Sequence, residues 1–446
     1  MSILGKTTSR VLALVLGVSL AAGACSTVDD LLEAENPGAV DESLLNDAAL
    51  VRVLVNSVVG ALGAMYDDPF IWRGSMFTDE QITGVNWENT ARLSQRLIQY
   101  NEGDANGMFG AVSRYRFLAD SVTGRLRNLL ESPQDDEDMA LVLAHAGYSY
   151  TLMAEVMCEA TINVGPDIYT PVQLAQFAIE RFEEAIQVAN AAGEAEIEDL
   201  ARTGLARAAL LAGDNAAVMS AAAGVSEDFA WWVEYDQEVA DNQMYVGVTG
   251  GNHRIGVHPS FLNGQFGEQG IVETQTDPRI QHTTEWSLGH NALTKLYKPY
   301  QSLPYSEFNG ETIAEGGEPV LYDRGTDIKL ASYLEAMHHY YEAAGPTGSG
   351  PEGTTLEFVN SRRAFGNQDP VNLSGDALMA ELRDQRGRDL YLGGFRLADL
   401  RRWMAQGIGN FFPSGQHPTV EWGQYGDATC FPLPLDEYVG NPNIQR

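Results

Sequence analysis

Asp389 and Asp399 are the carboxylates that most invite a catalytic reading. A paired-carboxylate hydrolase needs one acid to protonate the leaving group and a second to act as base or nucleophile. That chemistry requires both groups in one cleft at a defined separation. Both fall in a stretch whose pattern reads as core helix, so the sequence argues against hydrolysis and against an enzyme. The histidines offer no alternative. His338 and His339 are neighbours on a predicted helix and face different ways, and His253 and His258 lack a carboxylate at ligand spacing. The run Asp135-Asp136-Glu137-Asp138 after Pro133 lacks the spaced ligands and central Gly of a calcium loop. It reads as the solvated start of a helix, where carboxylates complement the macrodipole. No metal and no cofactor is expected.

The cysteines carry a different chemistry. Lys6 and Arg10 precede the apolar run Val11 to Leu20, and Ala21-Ala22-Gly23-Ala24 then leads into Cys25. A basic start, a short apolar stretch and a small-residue zone make a secretory signal peptide over residues 1–24. Small residues directly before a Cys resemble a bacterial lipobox, so Cys25 is expected to carry lipid, with residues 25–41 as a polar tether. An ordinary signal peptide followed by an incidental Cys is the plainer alternative. No later run of some 18 apolar residues is apparent, which leaves the lipid as the expected anchor. Cys158 and Cys430 are the other two cysteines. In an oxidising compartment they form the only possible bridge, against the alternative of two separate buried thiols.

The 446 residues carry 28 Lys+Arg against 61 Asp+Glu, a formal charge of −33. Such a field repels phosphate backbones, so no nucleic-acid partner is expected. With 44% hydrophobic residues the chain is neither disordered nor polytopic.

The elements that must position any site are mostly helical. Periodic apolar positions predict helices over 42–65, 107–131 and 138–160. Leu143, Gly147 and Tyr150, followed by Ala178, Phe182 and Ala185, match the spacing of a tetratricopeptide helix pair in part. A second pair is predicted at 196–212 and 216–223, and a third at 327–344 and 356–363. Small residues at these spacings let helices approach closely, as a helix-hairpin solenoid requires. Residues 224–326 differ: Gly, Asn, Pro and aromatics dominate, and Trp231-Trp232 and Val246-Gly247-Val248 suggest short strands. The fold class is therefore mainly α, a tetratricopeptide-like scaffold with a loop-rich, short-strand-containing face.

Residues 381–403 carry a resemblance. Arg386, Leu390, Gly394, Arg396, Asp399, Leu400, Arg402 and Trp403 match the pattern E-R-x-x-E-L-x-x-E-G-x-R-x-x-D-L-x-R-W of SusD/RagB-type outer-membrane lipoproteins. Gln385, Asp389 and Gly393 each stand where that pattern has Glu. The ending Cys430-Phe431-Pro432-Leu433-Pro434, with Asn441-Pro442-Asn443, also resembles the family's close. Asp277-Pro278-Arg279 and Lys298 after a Tyr fall in the family's order. The resemblance implies a single domain over 42–446. It implies a lipid-anchored protein at the outer-membrane cell surface that binds oligosaccharide, glycan or peptide nutrients. It further implies a TonB-dependent, SusC-like transporter as partner. Arg386, Arg396, Asp399 and Trp403 then read as structural, with charge-assisted hydrogen bonds fixing neighbouring elements and Trp403 packed inward.

A sugar ring has apolar C–H faces and polar edges, so its site needs aromatic platforms beside hydrogen-bonding groups. Two stretches provide these: Tyr66 to Arg92 and Trp286 to Tyr305. The candidate ligand residues are Trp72, Arg73, Asp79, Trp87, Trp286 and Tyr300. Either Trp72 or Trp87 could instead plug the core beneath a loop. A tetratricopeptide lipoprotein that scaffolds envelope assembly is the competing reading; it needs neither the aromatic-rich middle nor the Phe-Pro-Leu-Pro ending. A secreted glycoside hydrolase is the third, and it lacks a signalled carboxylate pair.

Overall fold

The computed structural model describes residues 45–238, 240–248, 254–264, 277–283, 285–300, 306–308, 311–312 and 321–444. The signal peptide, Cys25 and the tether lie outside the described residues. The chain divides into a unit ending at Leu50 and a compact unit of Val51–Arg446. Of the first, only residues 45–50 are described, with a turn of 3-10 helix at Ala48–Leu50.

Helix Val51–Met65 opens the compact unit and buries Leu54, Val55, Val58, Leu62 and Met65, a single stripe at helical spacing. The run Ala48–Met76 is long and apolar enough to cross a membrane by length and composition, which corrects the expectation that no such run follows the first. Here it is broken at Asp68 and Pro69, where the backbone leaves helical geometry. Its apolar stripe packs on helices Gly103–Leu129 and Glu137–Val156. The latter begins where the acidic run predicts, with the Asp136 carboxylate accepting from the Met139 N–H.

Helix pairs form the scaffold. Helices Glu137–Val156, Pro171–Ala192 and Ala195–Ala212 pack side by side, followed by Asn215–Ala222. Pro171–Ala192 starts in a capping box between Thr170 and Gln173. The buried ring of Phe182 fills the space between two glycines. A Cβ on Gly147 would lie 2.6 Å from that ring, and one on Gly204 would lie 2.3 Å from it. Only glycine allows these three helices to close on one phenylalanine. The third pair is Tyr333–Ala344 and Thr355–Phe365.

That third pair begins later than predicted. Asp327–Ser332 is a strand, not helix, buried at Ile328 to Ser332. It lies between Ala230–Val233 and Ser306–Phe308, with Glu311–Thr312 at the edge, in an antiparallel sheet. The strand predicted at Trp231-Trp232 is thus present. The segment Val246-Gly247-Val248 is corrected: Gln243–Val248 is helical. Its start is held because the Asn242 carboxamide accepts from the Met244 N–H and the Asp67 carboxylate from the Gln243 N–H.

The last segment returns to the scaffold. Cys158 and Cys430 are disulfide-bonded. Beside them the Phe431 N–H donates to the Val156 carbonyl and the Cys158 N–H to the Phe431 carbonyl, at 2.9 and 2.8 Å. Asn441 and Asn443 then donate to the carbonyls of Gly165 and Val164. This explains the Asn-Pro-Asn ending physically: its carboxamides clamp a turn in which Asn163 and Val164 adopt left-handed backbone.

Candidate functional site

Beneath the loop-bearing side lies a buried web of charge. Helix Gly375–Asp389 supplies Arg386 and Asp389, and helix Arg396–Ala405 supplies Arg396, Asp399, Arg402 and Trp403. Arg386 and Arg402 both donate to Asp399 at 2.7 Å. Burial alone would raise the Asp399 carboxyl, but these guanidiniums hold it below the ordinary range. Trp403 is buried and donates its indole N–H to Glu342 at 2.8 Å. Asp389 is gripped by Arg279 and Arg362 and shares a 2.7 Å hydrogen bond with His338. Against the opposing effect of burial, Arg362 and Arg279 hold it well below the usual carboxylate range. Carboxylates so buried and so neutralised are structural, and neither serves as a general acid.

The same web reaches two motifs far apart in the chain. Arg279 donates to both carboxylate oxygens of Asp277, and Arg388 donates to Asp277 at 3.1 Å. The Asp-Pro-Arg triplet therefore locks onto helix Gly375–Asp389.

Of the residues assigned to the ligand face, two are buried and a third is partly exposed but held by carboxylates of the chain. Asp79 is buried and accepts two hydrogen bonds from Arg396, which corrects its assignment. Trp72 is only 6% exposed, beneath Gly247, so it plugs the core. Arg73 is turned to Asp68, at 3.0 Å, and to Asp104, and its charge is satisfied within the chain. The segment folds inward because the break at Asp68 and Pro69 starts a new short helix, Trp72–Met76, packed against helix Arg396–Ala405.

Trp87 and Trp286 are different. They are 50% and 44% exposed, the two exposed tryptophans among the described residues. The chain brings their loops together. Strand Gln81–Thr83 pairs with Ile255–Val257, and the Gly84 N–H donates to the Arg254 carbonyl at 2.7 Å. The Gly84 carbonyl accepts from the Asn291 N–H at 2.7 Å. Asn291 belongs to the tip of a hairpin whose strands are Ser287–Leu288 and Lys295–Leu296. A Cβ on Gly289 would lie 2.6 Å from the Gly84 Cα, so the two backbones touch. The tip is rigid: the Asn291 carboxamide oxygen accepts from the N–H groups of Leu293 and Thr294.

Further loops join this face. The Thr294 and Thr419 hydroxyls share a 2.7 Å hydrogen bond, and His417 packs on Trp422 and Tyr425. Arg96 donates to the carbonyls of Pro413 and Ala428, tying residues 413–428 to the helix Glu88–Ser94 region. Burial pushes His258 and His417 down to about 4, so both imidazoles are neutral at pH 7. Tyr300 is half-buried, its N–H donating to the Gln281 carbonyl, and it contributes to the base of the hairpin. Sequence reasoning missed Arg254, Lys295 and Trp422; the pattern of a single chain does not show which loops meet.

Two half-open clefts lie elsewhere. One of about 420 Å³ is lined by Leu210, Ala398, Arg401, Met404 and Cys430, and one of about 230 Å³ by Met337, Phe358 and Arg362. Neither includes a residue of the tryptophan loops.

No protein-family model matches the chain, and no curated protein matches it. Solved structures do. A SusD-like carbohydrate binding protein from Bacteroides fragilis is 14% identical, with 91% of this chain and 100% of that one covered at a TM-score of 0.65. A SusD superfamily protein from Bacteroides vulgatus is 15% identical, covers 90% and 98%, and has a TM-score of 0.63. Another from Parabacteroides distasonis is 14% identical, covers 89% and 98%, and has a TM-score of 0.60. Across nearly its whole length the chain has the SusD-like fold, a mainly helical architecture.

Proposed function

We propose that this chain binds oligosaccharide nutrients on the face built by Trp87, Trp286 and the loops around them. In this reading the protein is held at the outer-membrane cell surface by lipid on Cys25 and hands its ligand to a TonB-dependent transporter. The observation that carries the reading is the union of two distant aromatic stretches through Gly84, Gly289 and Asn291. Half-exposed indoles on a rigid backbone are stacking platforms for sugar C–H faces. Structures of the same fold, described as carbohydrate binding, support the glycan over the peptide alternative. The Ala/Gly-rich helix pairs serve here as the frame under the loops.

Calorimetric titration of the full chain with a panel of plant, algal and host oligosaccharides, and with peptides, tests this. Trp87→Ala with Trp286→Ala is expected to weaken the best ligand at least tenfold while leaving Tm nearly unchanged. Undiminished binding by the double variant would remove the loop face as the site. Cys25→Ala should move the protein from the membrane fraction to the soluble one, and retention there would defeat the lipid anchor.

A further inference from the structure

The chain contains only four lysines: Lys6, Lys295, Lys298 and Lys329. Arginine supplies nearly all its positive charge, much of it buried in ion pairs such as Arg207–Glu155, Arg279–Asp389 and Arg396–Asp79. Against that background the loop face stands apart. The Lys295 ammonium lies over the Trp286 ring, 4.6 Å from its centroid, and the Arg254 guanidinium over the Trp87 ring at 5.0 Å. Each exposed tryptophan among the described residues therefore carries a cation on its face. Neither cation forms an ion pair among the described residues. Exposed Glu88 and Glu285 adjoin the two tryptophans in sequence, yet neither pairs with these cations.

Both pairs stand on segments whose backbones adjoin. Leu288 opposes Lys295 in the hairpin, so Trp286, Leu288 and Lys295 share a face, while Gly289 and Leu296 turn inward. Gly256 packs against Leu296, and the Val257 N–H donates to the Tyr297 carbonyl at 2.8 Å. Arg254 and Lys295 thus lead into strands that lie side by side.

A site for neutral sugar gains nothing from a cation covering its stacking surface. An exposed cation–π contact is weak. A charge-assisted hydrogen bond to carboxylate is roughly twice as strong as a neutral one. A ligand carboxylate can therefore draw the cation from the ring and leave the indole face open to the sugar that bears it. The overall charge of −33 does not forbid this. At physiological ionic strength, charges beyond about 8 Å are largely screened, and the nearest charges decide.

We infer that the loop face selects acidic oligosaccharides, with uronic-acid carboxylates received by Arg254 and Lys295 and the rings stacked on Trp87 and Trp286. This rests on the glycan-binding reading above and narrows its substrate class. The test uses the full chain and oligomers of galacturonate, mannuronate and glucuronate, each beside its carboxyl-reduced counterpart. At least one acidic oligomer is expected to bind tenfold or more tightly than its reduced partner, and to lose about tenfold in affinity in 0.5 M NaCl. Arg254→Met with Lys295→Met should abolish that preference, so that each acidic oligomer and its reduced partner bind alike. Equal or tighter binding of reduced or other neutral sugars would overturn the inference and leave the glycan reading standing. A preference that persists in the double variant would also overturn it. If no sugar binds, both readings fall. Lys295-dependent binding of a glutamate decamer in place of any sugar would assign the site to acidic peptide instead.

Discussion

Arg396 donates to both carboxylate oxygens of Asp79, at 2.7 and 2.8 Å, across a sequence separation of 317 residues. Both groups are buried, so each is the other's solvent. Replacing Arg396 by Met would strand a carboxylate in the interior, and a broken buried pair costs about 3–5 kcal/mol. We predict that Arg396→Met lowers unfolding stability by that order in urea titrations at pH 7. Asp79→Asn in the same chain should recover part of the loss. A single-variant loss under about 1 kcal/mol would show that the pair does not hold these elements together.

Next to Asp79, Glu80 is buried and has no cation at contact distance among the described residues; its carboxylate accepts from the Leu392 N–H at 2.9 Å. Burial raises this carboxyl to about 8, with the Leu392 hydrogen bond and Arg396 opposing. The folded state then holds a proton that the unfolded chain has released. Its contribution is fully present below about 4.5 and is lost as pH rises through about 8. Glu80→Gln keeps the acceptor and cannot ionise. Its stability relative to wild type, followed by Tm from pH 5 to 9, should rise with pH, and parallel profiles would refute the assignment.

Phe182 provides the third prediction. An alanine methyl at position 204 would fall 2.3 Å from its ring, so ring and helices must separate. Overpacking of this kind costs about 1–3 kcal/mol. Gly204→Ala should lower Tm, and adding Phe182→Leu should restore part of it. A Gly204→Ala chain as stable as wild type would mean that the helices yield freely there.

The scaffold was legible in the sequence because its signals are local. Phe109, Val112, Tyr115, Leu118 and Val122 announce a helix by spacing, and Gly147, Phe182 and Gly204 announce a close approach. What failed depended on distant partners. Asp327 to Ser332 reads as the first turns of a helix until Ala230–Val233 is known to lie beside it. Trp72 and Trp87 are the same residue in one short stretch, and only the tertiary fold makes one 6% and the other 50% exposed. Asp79 looked like a surface acid because its arginine lies far along the chain. The cations over Trp87 and Trp286 went unread for the same reason: stacking across strands leaves no periodic trace.

The bridge between Cys158 and Cys430 spans 272 residues and encloses Arg254, the Trp286 hairpin and residues 413–428, while Trp87 lies outside it. Exposed loop tips are where proteases cut first. Outside a cell, one such cut inside the ring would divide the backbone without dividing the molecule. The fragment holding Cys158 would keep the fragment holding Cys430 by a covalent thread, and the nicked molecule would stay whole.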